Sequence, residues 1–167
     1  ANFHSVSAFK LKSHHGMDID ETALNGHISV VNFFFTACPG ICPELLKSLQ
    51  QVDSALRDHP NVLLLSHTVT PDADTVPKLK QYAKKNDVKS KRWHFLTGDR
   101  AVIYNMARKV YFAEEDMGIK RGEDDFLHTE NFVLIDKNGH LRGVYNGINN
   151  ASVQQLIADI KTLGAEK

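Results

Sequence analysis

Residues 27–35, HISVVNFFF, form a near-continuous apolar run rich in β-branched and aromatic side chains. A strand that is apolar on both sides of its pleat needs cover on both, so this segment predicts the interior of a sheet with layers above and below. A second such run, NVLLLSHTVT at 61–70, predicts another buried strand, and WHFLTGD from Trp93 a short third one. Between them lie helical spacings. Leu45, Leu46, Leu49, Val52 and Leu56 recur at three- and four-residue intervals until His59-Pro60. DTVPKLKQYAKKND gives a second helix, with Asp74 or Thr75 as N-cap and Pro77 in the first turn.

A third helix is expected over RAVIYNMARKVYF, then a charged loop or small hairpin at 113–125. Residues 131–147 read as a β-hairpin around Lys137-Asn138-Gly139. A last helix, SVQQLIADIKTL, takes Ser152 as its cap, and FKLKSHHGMDIDETALNG predicts an extra hairpin before the first core strand. The order β-α-β-α-β-α-β-β-α contains crossovers, which are parallel, and a hairpin, which is antiparallel. The expected class is α/β, a mixed central sheet with helices on both faces.

At 167 residues and 42% hydrophobic, the chain suits one domain over 1–167 with a full core. Twenty Lys plus Arg balance twenty Asp plus Glu, so no overall field draws nucleic acid or an anionic membrane. The apolar runs are too short to span a bilayer. The first residues are Ala-Asn-Phe, and the expectation is a processed chain with its signal or anchor upstream. Nothing in the sequence demands more than a monomer.

The chemistry concentrates in FFFTACPGICPELL, which holds the only two cysteines, Cys38 and Cys42. Cys38 lies past the carboxyl end of the first buried strand and Cys42 one helical turn later, on the same face in helical geometry. A helix N-terminus favours thiolate, and Pro39 and Pro43 stiffen the approach. Three uses are open: a buried inert pair, a redox dithiol with Cys38 attacking and Cys42 resolving, or two soft ligands for Cu(I). Three residues separate the cysteines where the common redox motif has two. The last of five prolines is Pro77, so none precedes NFVLID, where thioredoxin-like oxidoreductases place a cis-proline. His128 stands there instead, able to offer an imidazole to the sulfurs.

VNFFFTACPGICPELL, TPDADT and HTENFVLIDKNGHLRGVYNG together resemble the SCO/SenC family, thioredoxin-fold copper chaperones of cytochrome c oxidase assembly, from about Phe9 to Leu163. The resemblance implies a thioredoxin-like three-layer sandwich and copper ligation by Cys38, Cys42 and His128. Two thiolates and an imidazole suit three-coordinate Cu(I), whereas Cu(II) wants a fourth ligand. The implied role is copper delivery to, or thiol maintenance of, the copper-site subunit of a terminal oxidase or another copper or thiol-redox protein. The alternative is a thiol-disulfide oxidoreductase using Cys38 and Cys42. The implied location is extracytoplasmic, in the periplasm or cell envelope, with membrane contact only through an N-terminal anchor.

One position departs from the family. Where DPxxDT is common, Thr70 precedes Pro71 here. His67 reads as a strand-end histidine without a metal role, and His14 and His15 as an exposed hairpin pair. Glu44 complements the helix dipole, Phe33, Phe34 and Phe35 serve the core with one edge near the site, and Trp93 packs at a strand start. GEDDF at 122–126 reads as a solvated acidic loop suited to a basic partner.

Overall fold

The computed structural model describes residues 5–37, 42–110 and 129–165. The hairpin β1 (Lys10–Ser13) and β2 (Asp18–Asp20) is followed by a 3-10 turn, Glu21–Leu24, and by β3 (Ile28–Phe34). Then come α1 (Cys42–Ala55), β4 (Val62–Thr68), α2 (Val76–Lys85), β5 (Trp93–Thr97) and α3 (Arg100–Asn105). β6 (Asn131–Ile135), β7 (Leu141–Asn146) and α4 (Asn150–Ala165) close the order. The sheet runs β2-β1-β5-β4-β3-β6-β7. β3, β4 and β5 are parallel, while β6 lies antiparallel against β3 and β7 against β6. The N-terminal hairpin extends the sheet, because β1 pairs antiparallel with β5.

All seven residues of β3 are buried, as an interior strand requires. Its alternate side chains feed two apolar clusters. Val30 and Phe34 join Leu64, Phe95 and Phe132 beneath α1, α2 and α4, through Leu49, Leu79 and Leu156 among others. Val31 and Phe33 join Leu65, Leu96 and Val133 on the opposite face, covered by Phe9, Leu11 and α3. Helices therefore lie on both faces, three of them on one.

α1 buries Cys42, Leu45, Leu49 and Val52, which share one stripe of its surface. Its far end is held by Arg92. The guanidinium donates to the carbonyl oxygens of Asp53, Leu56 and His59, each at 2.7 Å, and through Nε to Asp53 Oδ1 at 2.9 Å. Carbonyls left over at a helix C-terminus thus find one planar donor.

Two details differ from the sequence expectation. α3 stops at Asn105 and widens into a π-helical turn over Met106–Val110, where an α-helix to Phe112 was expected. α4 is capped by Asn149, whose Oδ1 accepts from Ser152 N–H at 3.0 Å, so Ser152 sits inside the first turn. Asn caps as well as Ser, and the earlier residue took the position. The loop expected at 113–125, with GEDDF, lies outside the described residues.

At the carboxyl edge of the parallel strands, Asp74 draws three segments together. Its carboxylate accepts from Thr36 Oγ1 at 2.5 Å, Thr68 Oγ1 at 2.6 Å, Thr70 Oγ1 at 3.0 Å and Thr36 N–H at 3.1 Å. Lys78 Nζ adds a 3.8 Å ion pair. Burial pushes this carboxyl's pKa up, but the bonds from Thr36, Thr68 and Thr70 outweigh it and hold the pKa below the usual carboxylate value. Asp74 therefore is no helix cap. Thr75 holds the α2 N-cap position without a side-chain bond.

At the opposite edge, His14 is buried, which corrects the expectation of an exposed pair; only His15 faces solvent. Pairing of β1 with β5 brings the hairpin turn over Phe95 and His94. Phe95 N–H donates to His14 Nδ1 at 3.0 Å. Ser13 Oγ accepts from His15 N–H at 3.1 Å and lies 2.7 Å from His94 Nδ1. Burial lowers the pKa of His14 and of His94 to about 4, and neighbouring His15 adds repulsion to each. His67, wholly buried in β4, is lowered to about 4 by burial alone, against the carbonyls of Asn32 and Leu65.

Two outcomes are expected. Between pH 6.5 and about 4 the unfolded chain binds protons that the three buried histidines refuse, so stability falls as pH falls, by about 1.4 kcal/mol per pH unit for each proton. Urea denaturation across that window measures the slope, and His67→Phe should reduce it by close to one proton. Asp74→Asn should cost roughly 2–4 kcal/mol at neutral pH, because it removes a charged acceptor from buried donors. An unchanged urea midpoint would contradict the clamp.

Candidate functional site

Strand direction decides what meets at the edge held by Asp74. β3 runs toward Thr36, and the chain continues to Cys38. β6 is antiparallel to β3, in register from Ser29↔Ile135 to Val31↔Val133, so β6 starts where β3 ends. Thr129 and Glu130, which directly follow His128, therefore lie at the same edge as Phe35 and Thr36. Cys38 and His128 themselves lie outside the described residues.

Cys42 is the first residue of α1 and only 6% exposed, within the apolar cluster that contains Phe34, Leu45 and Phe132. Its sulfur thus belongs to the helix end where backbone N–H groups lack intrahelical acceptors. Burial there suits a resolving or ligating sulfur better than an attacking one, which needs access. Glu44 is exposed in the same first turn, the place where a carboxylate complements the helix dipole.

The chain leaving His128 is fixed from β7. Gly147 N–H donates to Glu130 O at 2.8 Å, and Asn146 Nδ2 donates to Glu130 Oε1 at 2.7 Å. Asn131 N–H donates to Thr129 Oγ1 at 3.1 Å. On the Cys38 side, Asp74 holds Thr36. Both approaches to the site are thus tied by hydrogen bonds that do not involve the candidate ligands.

Phe33 and Phe34 are core residues and Phe35 is half-buried at the edge, as expected of the aromatic run. Trp93 is buried and donates Nε1–H to Ser66 Oγ at 3.0 Å. His67 stacks on Phe33 in the interior and is set deeper than a strand end. Thr70 faces Asp74. Among the described residues no group of three His, Cys, Asp or Glu side chains is arranged to hold a metal ion.

Sequence reasoning weighed Asp74 only as a helix cap and left Gly147 unremarked within the distal motif. The repeated threonines at 36, 68 and 70 were a signal, but their convergence on one carboxylate depends on which strands are neighbours.

The SCO1/SenC family model matches residues 1–165. Among solved structures, BsSco, a member of the Sco family of cytochrome c oxidase assembly proteins with a disulfide switch, is 27% identical. The match covers 99% of this chain and 96% of that one, with a TM-score of 0.83. A SCO1/SenC family lipoprotein from Bacillus anthracis str. Ames is 26% identical over 96% of this chain and 95% of its own, at 0.82. Copper-bound ScoI of Bradyrhizobium japonicum, 24% identical over 95% and 99%, shares the fold at 0.73. With a thioredoxin-like mixed sheet, Cys42 at the start of α1 and a family match over nearly its whole length, the chain belongs to the SCO1/SenC family.

Proposed function

We propose that this protein binds Cu(I) through Cys38, Cys42 and His128 and passes it to, or maintains the thiols of, the copper centre of a terminal oxidase. The observation that carries this reading is the meeting of three segments at one sheet edge: the chain entering Cys38, the helix start at Cys42, and the chain leaving His128. BsSco's membership in a family of oxidase assembly proteins and the copper bound by ScoI support it.

Copper is cargo in this reading. Two thiolates and one imidazole are a soft, low-coordinate set that holds Cu(I) and leaves room for an incoming ligand from the acceptor. Ligand exchange then moves the ion without leaving it bare. The acceptor is the copper-site subunit of the oxidase. Delivery there implies an extracytoplasmic position with an N-terminal tether, supported by the lipoprotein relative. Among the described residues no helix is long and apolar enough to cross a membrane.

The burial of Cys42 favours a second reading, thiol-disulfide exchange. Cys38 thiolate attacks a substrate disulfide and releases one thiolate, then Cys42 displaces the other. The protein gains a Cys38–Cys42 disulfide and the substrate gains two electrons as a dithiol.

Anaerobic titration of the reduced protein with Cu(I) against a competing chelator should give one equivalent bound. His128→Ala should weaken binding by at least about tenfold, since even outer-shell changes at metal sites cost that much. Absence of stoichiometric copper in wild type would remove the copper reading. For exchange, Cys42→Ser should trap a mixed disulfide on Cys38 with a model protein disulfide. No trapped adduct and negligible reduction by wild type would remove the second reading.

A further inference from the structure

Gly147 ends the distal motif, one residue past β7, and its backbone lies outside the left-handed region that reserves a position for glycine. Conformation does not call for glycine here. Space does. A Cβ at Gly147 would lie 2.6 Å from Leu45 Cδ2, 2.7 Å from Phe132 Cε1 and 2.8 Å from the Glu130 carbonyl oxygen. All three are closer than side-chain carbons tolerate, and one is backbone that cannot rotate away.

The three neighbours are not an arbitrary set. Leu45 lies three residues after Cys42 and so on the same face of α1's first turn. Glu130 lies two residues after His128, and its carbonyl also accepts the Gly147 N–H at 2.8 Å. Phe132 joins β6 to the cluster that includes Cys42 and Leu45. The bare backbone of Gly147 thus meets both the helix that Cys42 opens and the residue two after His128.

We propose that Gly147 is a positioning residue for the copper site: its missing side chain lets the first turn of α1 close on the strand start that follows His128. This rests on the copper-binding reading above. A methyl group at 147 must push Leu45 and α1 away from Glu130, or displace Glu130 itself, and either movement shifts the Cys42 end of α1 relative to the strand start that follows His128. Gly143 in the same hairpin provides a control, because a Cβ there meets the Tyr145 side chain at 2.8 Å and neither α1 nor Glu130.

The test is Cu(I) competition and copper X-ray absorption on reduced wild type, Gly147→Ala, Gly143→Ala, Leu45→Ala, His128→Ala and Gly147→Ala/His128→Ala, with folding checked by circular dichroism. Gly147→Ala should bind about tenfold or more weakly, as outer-shell changes do, and lose the imidazole contribution to the absorption spectrum. Gly143→Ala should match wild type. The double variant should bind no more weakly than His128→Ala, since a residue acting through the imidazole has nothing left to disturb.

Wild-type affinity and spectrum in folded Gly147→Ala would overturn the proposal alone, as would equal weakening by Gly143→Ala or full additivity with His128→Ala. A wild type that holds no copper would overturn the reading beneath it. Should Gly147→Ala fail to fold, Leu45→Ala decides: by slackening the same contact from the helix side it should weaken binding through His128, and unchanged binding there refutes the idea.

Discussion

Everything at the functional edge follows from β3 being covered on both faces with unlike neighbours, β4 parallel on one side and β6 antiparallel on the other. A parallel neighbour sends the chain across a helix, which starts at Cys42. An antiparallel neighbour must begin where β3 ends, which brings Thr129 and Glu130 to the edge reached by Thr36. The pairing cannot slip by one residue without moving Val31 and Val133 out of their shared apolar cluster and Val30 and Leu134 into it. Burial of β3 thus fixes an address for residues more than half the chain apart.

At the same edge Thr70 precedes Pro71, where the family resemblance led to an expectation of aspartate, and the structure gives the threonine a physical setting. Thr70 Oγ1 lies 3.0 Å from an Asp74 oxygen that already accepts from Thr68. Aspartate in place of Thr70 would bring a second carboxylate toward a buried first one, and like charges at that range resist joint ionisation. A hydroxyl donates instead. In this chain the residue before Pro71 strengthens the clamp on Thr36, and its side chain brings no carboxylate to copper.

Much of this was written in the sequence. Two apolar runs, helical spacing after the cysteines and an Asn-Gly turn sufficed for the order of elements, because each depends on neighbours in sequence. Asp74 and Gly147 were opaque for the same reason in reverse. Asp74 reads as a cap until Thr36 and Thr68 are known to sit on adjacent strand ends, and nothing marks Gly147 until Leu45 approaches it from α1. His14 was misplaced because its burial comes from β1 pairing with β5, a contact across some eighty residues. No local spacing links His128 to the cysteines; the candidate ligand set was legible from the place of His128 ahead of the distal hairpin, and family resemblance then completed it.

The copper reading carries a second demand, that the ion not be held elsewhere, and the sequence has nine histidines. The far edge of the sheet meets it by consuming lone pairs. A neutral imidazole has one, and His14 gives its own, on Nδ1, to Phe95 N–H. Ser13 Oγ, which accepts from His15 N–H, also lies 2.7 Å from His94 Nδ1, so that nitrogen is engaged in a hydrogen bond whichever of the two donates. His15 places Nε2–H on Trp93 O at 3.0 Å and keeps only Nδ1 for a metal. His15 lies against both of the other rings, and recruiting His14 Nδ1 or His94 Nδ1 to a metal would break hydrogen bonds that tie β1 to β5. Soft Cu(I) already prefers thiolate to imidazole, and these hydrogen bonds add to that preference at His14 Nδ1 and His94 Nδ1.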